Sequence, residues 1–283
     1  RISLNGFFDF SFHTKSPILV ETALLGRGLS FLKNELLLYL WPNYENVVLL
    51  WLEEGKLRGG LLHHFLEVRG KNWPRLNSRE LAESKGSAIS GFLTASALLR
   101  IAAALPGERR RIIVTAGMGG IRGGNISVDL HELLYSPDLL LASAFKDSQE
   151  LETSLDFLRE RGVRLLGWQC ERLDGFLFRE DSHALDSSLK TEKEAQQLFS
   201  REDGKSVVLF NPLPPSVRIK EREMLAEAIK RGEEAHRAGV DFHPVVNEAL
   251  DRASSGRASL LQLLALIANI LLAFRLNAEW EEI

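Results

Sequence analysis

The stretch "RIIVTAGMGGIRGGNISVDL", residues 111–130, decides how the chain is read. It opens on an apolar run without alternation, the pattern of a strand covered on both faces. Five glycines then fall within ten residues, 115–124, and an Asn, a Ser and an Asp follow where a helical pattern begins. Glycine is selected where the backbone turns through positive φ or where something comes close to it. Free N–H groups in such a turn, running into a helix start, suit an anion such as phosphate. A tight connection whose glycines only relieve strain has the same composition. Asn125 or Ser127 can cap the helix, with Asp129 in its first turn. The stretch is no dinucleotide fingerprint, because Arg122 stands where the third glycine belongs, and it lacks the Gly-Lys pair followed by Ser or Thr of a nucleotide triphosphate loop.

Working outward, similar apolar runs occur at "PILVE" (17–21) and "DLLLASAF" (138–145), with further ones at "RLLGWQ" (164–169) and "SVVLFNP" (206–212). Helical patterns lie between and after them, at 95–105, 127–136, 150–162 and 221–239. This alternation predicts an α/β layered fold. No internal repeat or low-complexity tract interrupts it, and residues 1–283 read as one domain. The polar segment 179–205 reads as surface loop plus a solvated helix.

Ligands in such sheets sit beyond the carboxyl ends of the strands. Lys146 directly follows one predicted strand, where desolvation would lower its pKa and free the amine for imine chemistry. A solvated lysine at a helix start fits the pattern as well and is commoner. Glu21 has the same address at the end of "PILVE", where a partly buried carboxyl group can hold a proton at neutral pH and act as a general acid.

With 45% hydrophobic and 26% charged residues the composition is that of an ordinary globular protein. A net charge of −3 gives no electrostatic reason to expect nucleic acid or an anionic membrane, leaving a small molecule as partner. Cys170 is the one cysteine, which excludes an intrachain disulfide and a cysteine metal cluster. The opening "RISLNGFFDF" has no apolar stretch long enough for a signal peptide, so a cytoplasmic protein is expected. The run "LLQLLALIANILLAF" (260–274), interrupted by Asn269, is shorter than the roughly 18–20 residues of a bilayer span and reads as a buried or intersubunit helix.

Together and in order, these blocks resemble the pseudouridine 5'-phosphate glycosidase family, also called indigoidine synthase A-like. The resemblance runs from about Lys15 to Asn277. It rests on "ILVETALLGRG" (18–28), "RLNSREL" (75–81), "VTAGMGGIRGGNISVDLHEL" (114–133), "SAFKDSQELETSLDFLRERGVRLLGW" (143–168), "FNPLP" (210–214) and "SSGRASLLQLLALIAN" (254–269). It implies a three-layer α/β/α fold with a mostly parallel central sheet, assembled as a homotrimer using a divalent cation, typically manganese, that reversibly cleaves pseudouridine 5'-phosphate to uracil and ribose 5-phosphate. By the same resemblance Glu21 is the proton donor and Lys146 the covalent nucleophile. Arg75, Ala95, Ser127, Val128 and Asp129 fall on substrate contacts.

Several site positions depart from the family pattern. Arg75 replaces a lysine and Ala95 another substrate contact. Asn125 stands where the family's cation-binding carboxylate belongs, and an amide without charge holds a hard divalent ion weakly. Arg27 and Arg122 replace histidines, adding permanent positive charge that could do the electrostatic work of the cation. Leu263 stands where an Asn should face the base, and Asn269 matches a different family Asn. Three readings follow: a pseudouridine 5'-phosphate glycosidase, a lysine-dependent lyase or glycosidase acting on another pentose 5-phosphate compound, and a non-catalytic binding homologue. His63, His64, His243 and Cys170 read as structural or surface residues, and "ERRR" (108–111) as a solvated turn.

Overall fold

The computed structural model describes residues 16–240 and 242–281. The opening segment on which the signal-peptide reading rests lies outside them. Sixteen strands are formed: β1 (Ile18–Val20), β2 (Val47–Glu53), β3 (Lys56–Gly60), β4 (Arg75–Leu76), β5 (Gly91–Leu93), β6 (Ile112–Val114), β7 (Gly117–Met118), β8 (Ile121–Arg122), β9 (Asn125–Ile126), β10 (Leu139–Ala142), β11 (Ala144–Phe145), β12 (Arg164–Trp168), β13 (Arg172–Leu173), β14 (His183–Ala184), β15 (Ser187–Leu189) and β16 (Val207–Phe210). Ten of them build the main sheet in the order β15-β12-β16-β10-β6-β1-β2-β5-β4, with β3 also paired to β2. From β15 to β2 all neighbours are parallel, and β3 and β5 run antiparallel to β2. The α/β/α layering and the mostly parallel sheet are as expected.

Among the described residues nine α-helices flank the sheet: α1 (Asn34–Leu40), α2 (Leu62–Arg69), α3 (Ser78–Glu83), α4 (Ala95–Ala104), α5 (Val128–Leu133), α6 (Leu151–Glu160), α7 (Arg222–Arg237), α8 (Phe242–Ala253) and α9 (Arg257–Glu281). β1, β6, β10 and β16 are buried along their whole length, because helices cover both faces and leave no position for a polar side chain. α4 packs on β1, β5 and β6, and α9 on β1, β6 and β10. At 25 residues α9 is longer than its apolar run suggests. Length and composition alone would let it cross a bilayer, but 67% of its most apolar window is buried inside the protein.

Two parts of the sheet go beyond the sequence expectation. The antiparallel side, β2 to β5, was not anticipated. Its β2–β3 hairpin turns at Glu54 and Gly55, both at positive φ (50° and 75°). The segment 179–205 is not simply surface: β14 and β15 form within it, and Leu189, Ala195 and Leu198 are buried.

The parallel register sets the site. Val20 lies beside Val114, Val114 beside Leu141 and Leu141 beside Leu209. Glu21 and Thr115 follow directly, and Ser143 and Asn211 follow the next pair, Ala142 and Phe210, so all four emerge at the carboxyl ends of these strands.

Candidate active site

The glycine-rich stretch resolves into close packing and one hairpin. Gly123 and Gly124 form the two-residue turn between β8 and β9 with φ of 52° and 76°, the mirror-type geometry that suits a tight hairpin. Gly119 is needed for a close approach: a Cβ there would lie 2.6 Å from Ser127 Oγ and 3.1 Å from Asp129 Oδ2. Ser127, rather than Asn125, caps α5, its Oγ accepting from the Leu130 N–H. Asp129 is held rigidly, Oδ1 accepting from the Ser96 N–H (3.0 Å) and Oδ2 from the Gly119 N–H (2.8 Å).

Glu21 leaves β1 with its amide bonded to the Val114 carbonyl (3.0 Å) and its side chain only 5% exposed. The Thr115 hydroxyl donates to its Oε2. A π-type turn (Leu24–Gly28) follows, pinned by the buried Arg69, which donates to the carbonyls of Leu25 (2.9 Å) and Leu29. Burial pushes the Glu21 carboxyl above its ordinary value near 4.5, the nearby Asp129 adds to this, and Lys146, the Thr115 hydroxyl and Arg75 oppose it. A buried carboxyl that favours its protonated form is what a general acid requires.

Lys146 follows β11, its amide bonded to the Met118 carbonyl (3.0 Å). Behind it Asp147 accepts from the backbone N–H groups of Phe176, Leu177 and Phe178 at 3.2, 3.1 and 3.0 Å, locking the loop that carries the lysine. Burial raises the Asp147 pKa to about 6 against those three bonds. Glu21, Lys146 and Arg75 line one small chamber, roofed by Pro244 and Asn247 of α8. The two groups on which the sequence argument depends thus face the same space.

A second polar system braces this chamber from the far side of the sheet. Asn269 of α9 is fully buried. Its Nδ2 donates to the Thr115 carbonyl (2.8 Å) and Ser143 Oγ (3.1 Å), and its Oδ1 accepts from Asn211 Nδ2 (3.0 Å). One amide therefore ties the ends of β6, β10 and β16, and Thr115 passes that constraint to Glu21.

The other expected residues divide. Ser127 and Asn125 line a separate open cleft of about 890 Å³, together with Arg122. Ala95, 1% exposed at the start of α4, and Val128 line neither space. Arg27 donates to Asn72 and lines neither, so of the two arginines that replace family histidines only Arg122 faces the site. Leu263 is fully buried, whereas Gln262 beside it borders the space around Lys146. His243, read from sequence as structural, borders both that space and the cleft. Burial, reinforced by Lys146, Arg75 and Arg122, holds its imidazole well below the usual range and therefore neutral at pH 7. The signal for His243 was weak, since its neighbour Pro244 marks only a helix start.

The donor set does not fit a divalent cation. Asn125 is exposed at the end of β9, and its cleft is bordered by the guanidinium groups of Arg122 and Arg237. No group of three His, Cys, Asp or Glu side chains suited to a metal is found among the described residues. An ion at Asn125 would have one neutral oxygen beside two arginines, and the one carboxylate of the cleft, Glu233, already pairs with Arg122.

The family described as "Indigoidine synthase A like protein" matches residues 50–279. The chain belongs to the indigoidine synthase A-like family. A pseudouridine-5'-phosphate glycosidase of Saccharopolyspora erythraea is 26% identical over 198 residues, which cover 65% of this chain and 64% of that protein, just under two thirds of its length. The fold is similar to that of an indigoidine synthase A-like protein of Thermotoga maritima (TM-score 0.76, 20% identity, 92% of this chain and 91% of that one). It is also similar to the prealnumycin C-glycosynthase AlnA, solved in complex with ribulose 5-phosphate (TM-score 0.72, 19% identity, 94% of each chain).

Proposed function

We propose that this indigoidine synthase A-like protein reversibly cleaves the carbon–carbon glycosidic bond of pseudouridine 5'-phosphate, giving uracil and ribose 5-phosphate through a covalent adduct on Lys146. The observation that carries this reading is the shared chamber of Glu21 and Lys146, with a buried carboxyl whose pKa is raised.

A carbon–carbon bond offers no heteroatom leaving group for a conventional carboxylate pair. The amine of Lys146 bonds to C1' while Glu21 protonates the ring oxygen, so the sugar opens. The new ammonium returns its proton to the Glu21 carboxylate. The nitrogen lone pair then forms an iminium at C1' as the bond to C5 of the base breaks, and C5 takes the proton from Glu21. Water adds to the iminium, the proton it releases returns to the Glu21 carboxylate, the amine leaves, and ribose 5-phosphate is freed. Every proton gained is one given up within the cycle. No step needs a metal ion, and the residues around Asn125 supply no argument for one.

Borohydride reduction in the presence of ribose 5-phosphate is expected to add the sugar phosphate irreversibly to the peptide containing Lys146. An unmodified peptide, under conditions that label a related glycosidase, would remove the covalent mechanism. A second reading, the same lysine chemistry on another pentose 5-phosphate compound, is favoured by Leu263, whose buried side chain cannot present an amide to a base. Uracil release from pseudouridine 5'-phosphate, measured with and without manganese, separates the two. We also propose a homotrimeric cytoplasmic enzyme. Leu260, Leu264 and Leu271 form an exposed stripe on α9 that another copy could cover, and light scattering should give three times the chain mass.

A further inference from the structure

The cleft of about 890 Å³ lies between the β8–β9 hairpin and the helices α7 and α8. Arg122 projects from the hairpin with its guanidinium carbon 3.9 Å from the centre of the Phe242 ring, which holds the planar group flat. It also pairs with Glu233, whose carboxylate is 52% exposed. Arg237 and His236 border the same cleft from α7. His243 borders both this cleft and the space around Lys146, which places the two on either side of one imidazole.

We propose that this wall is the anion-binding half of the site, in which Arg122, assisted by Arg237, holds the phosphoryl group of a phosphate monoester directly, with no metal ion between them. The inference rests on the sugar-phosphate reading above and names the residues that would recognise its charged end. A guanidinium fork matches two phosphoryl oxygens, and its charge is permanent. The pair with Glu233 does not forbid this. Its carboxylate is largely solvated, so exchanging it for a dianion gives up only a screened interaction. Burial is the main cause of the depressed His243 imidazole, and the charges of Lys146, Arg75 and Arg122 add to it, so a positive field reaches this end of the cleft. Such a field attracts an anion.

The test is titration calorimetry at pH 7.5 in the presence of a chelator. The Lys146→Ala background prevents an adduct, and ribose 5-phosphate, ribose and inorganic phosphate serve as probes. Ribose 5-phosphate should bind at least tenfold more tightly than ribose. Arg122→Gln should weaken ribose 5-phosphate and inorganic phosphate tenfold or more while leaving ribose unchanged. Glu233→Gln, which removes the competing carboxylate at an exposed position, should tighten ribose 5-phosphate several-fold and keeps the test decisive if Arg122→Gln misfolds. Unchanged affinities in both variants, or binding that appears only on adding manganese, would overturn the proposal. Borohydride trapping at Lys146 with unchanged affinity in Arg122→Gln sinks this inference alone. Phosphate-dependent binding lost in Arg122→Gln, without any adduct in the parent protein, sinks the lysine chemistry alone.

Discussion

Glu21 combines three features that seldom coincide: burial, a hydroxyl donor and a lysine facing the same small space. Its raised pKa has a cost with a definite sign. Between about 4.5 and the raised value the folded protein keeps a proton that the unfolded chain has released. The stability this confers is complete below the lower value and is lost as pH rises through the upper one. Glu21→Gln is therefore expected to melt higher relative to the parent at pH 8 than at pH 4. Its activity should fall by about 10²- to 10⁴-fold, as for loss of a general acid. Melting curves and uracil-release rates across pH check both halves, and a melting difference independent of pH would contradict the argument. Thr115→Val removes a donor that favours the carboxylate, so the limb of the pH–rate profile governed by Glu21 should move to higher pH. Thr115→Ser, which keeps the hydroxyl, should leave that limb in place.

At the scale of elements, the hairpin β8–β9 and the cap of α5 make distinct demands on their glycines. Gly119→Ala would press a methyl group onto Ser127 and Asp129, and overpacking of this kind costs about 1–3 kcal/mol. Gly124→Ala meets no atom within 4 Å but holds φ at 76°, so its cost is about 1–2 kcal/mol of backbone strain. Urea denaturation measures both, and the activity loss should be concentrated in Gly119→Ala because Asp129 moves with it. Much of this was legible in sequence: apolar runs flanked by turn residues located β1, β6, β10, β12 and β16, and with them Glu21 and Lys146. The sequence "IRGGNI" also carried a hairpin signal, two glycines between apolar positions, that the anion-loop reading passed over. β2 was equally readable as "VVLLWLE" followed by a Glu-Gly turn. Its antiparallel partner β5 and the edge strand β4 were not, because they are three and two residues long and owe their form to pairing rather than to pattern.

Across the whole molecule, the parts of the site that sequence left hidden are those made by distant segments meeting. Asn269 and Thr115 are 154 positions apart, and nothing local marks an asparagine in an apolar helix as the brace of three strand ends. His243 likewise gains its setting only when α8 folds over Lys146. Asn269→Leu should expose the importance of that brace: it strands the Asn211 amide and the Thr115 carbonyl without partners. Each such buried group costs about 1–3 kcal/mol, so a loss of about 2–6 kcal/mol is expected in urea denaturation. The pH–rate profile should change as well, since Thr115 holds Glu21.

That brace also bears on when the molecule becomes competent. A nascent polypeptide contains its carboxyl group and its amine long before residues 257–281 have been synthesised. The strand tips around them nevertheless lack their shared amide until α9 docks, so the ends of β6, β10 and β16 are tied together only after that helix has packed.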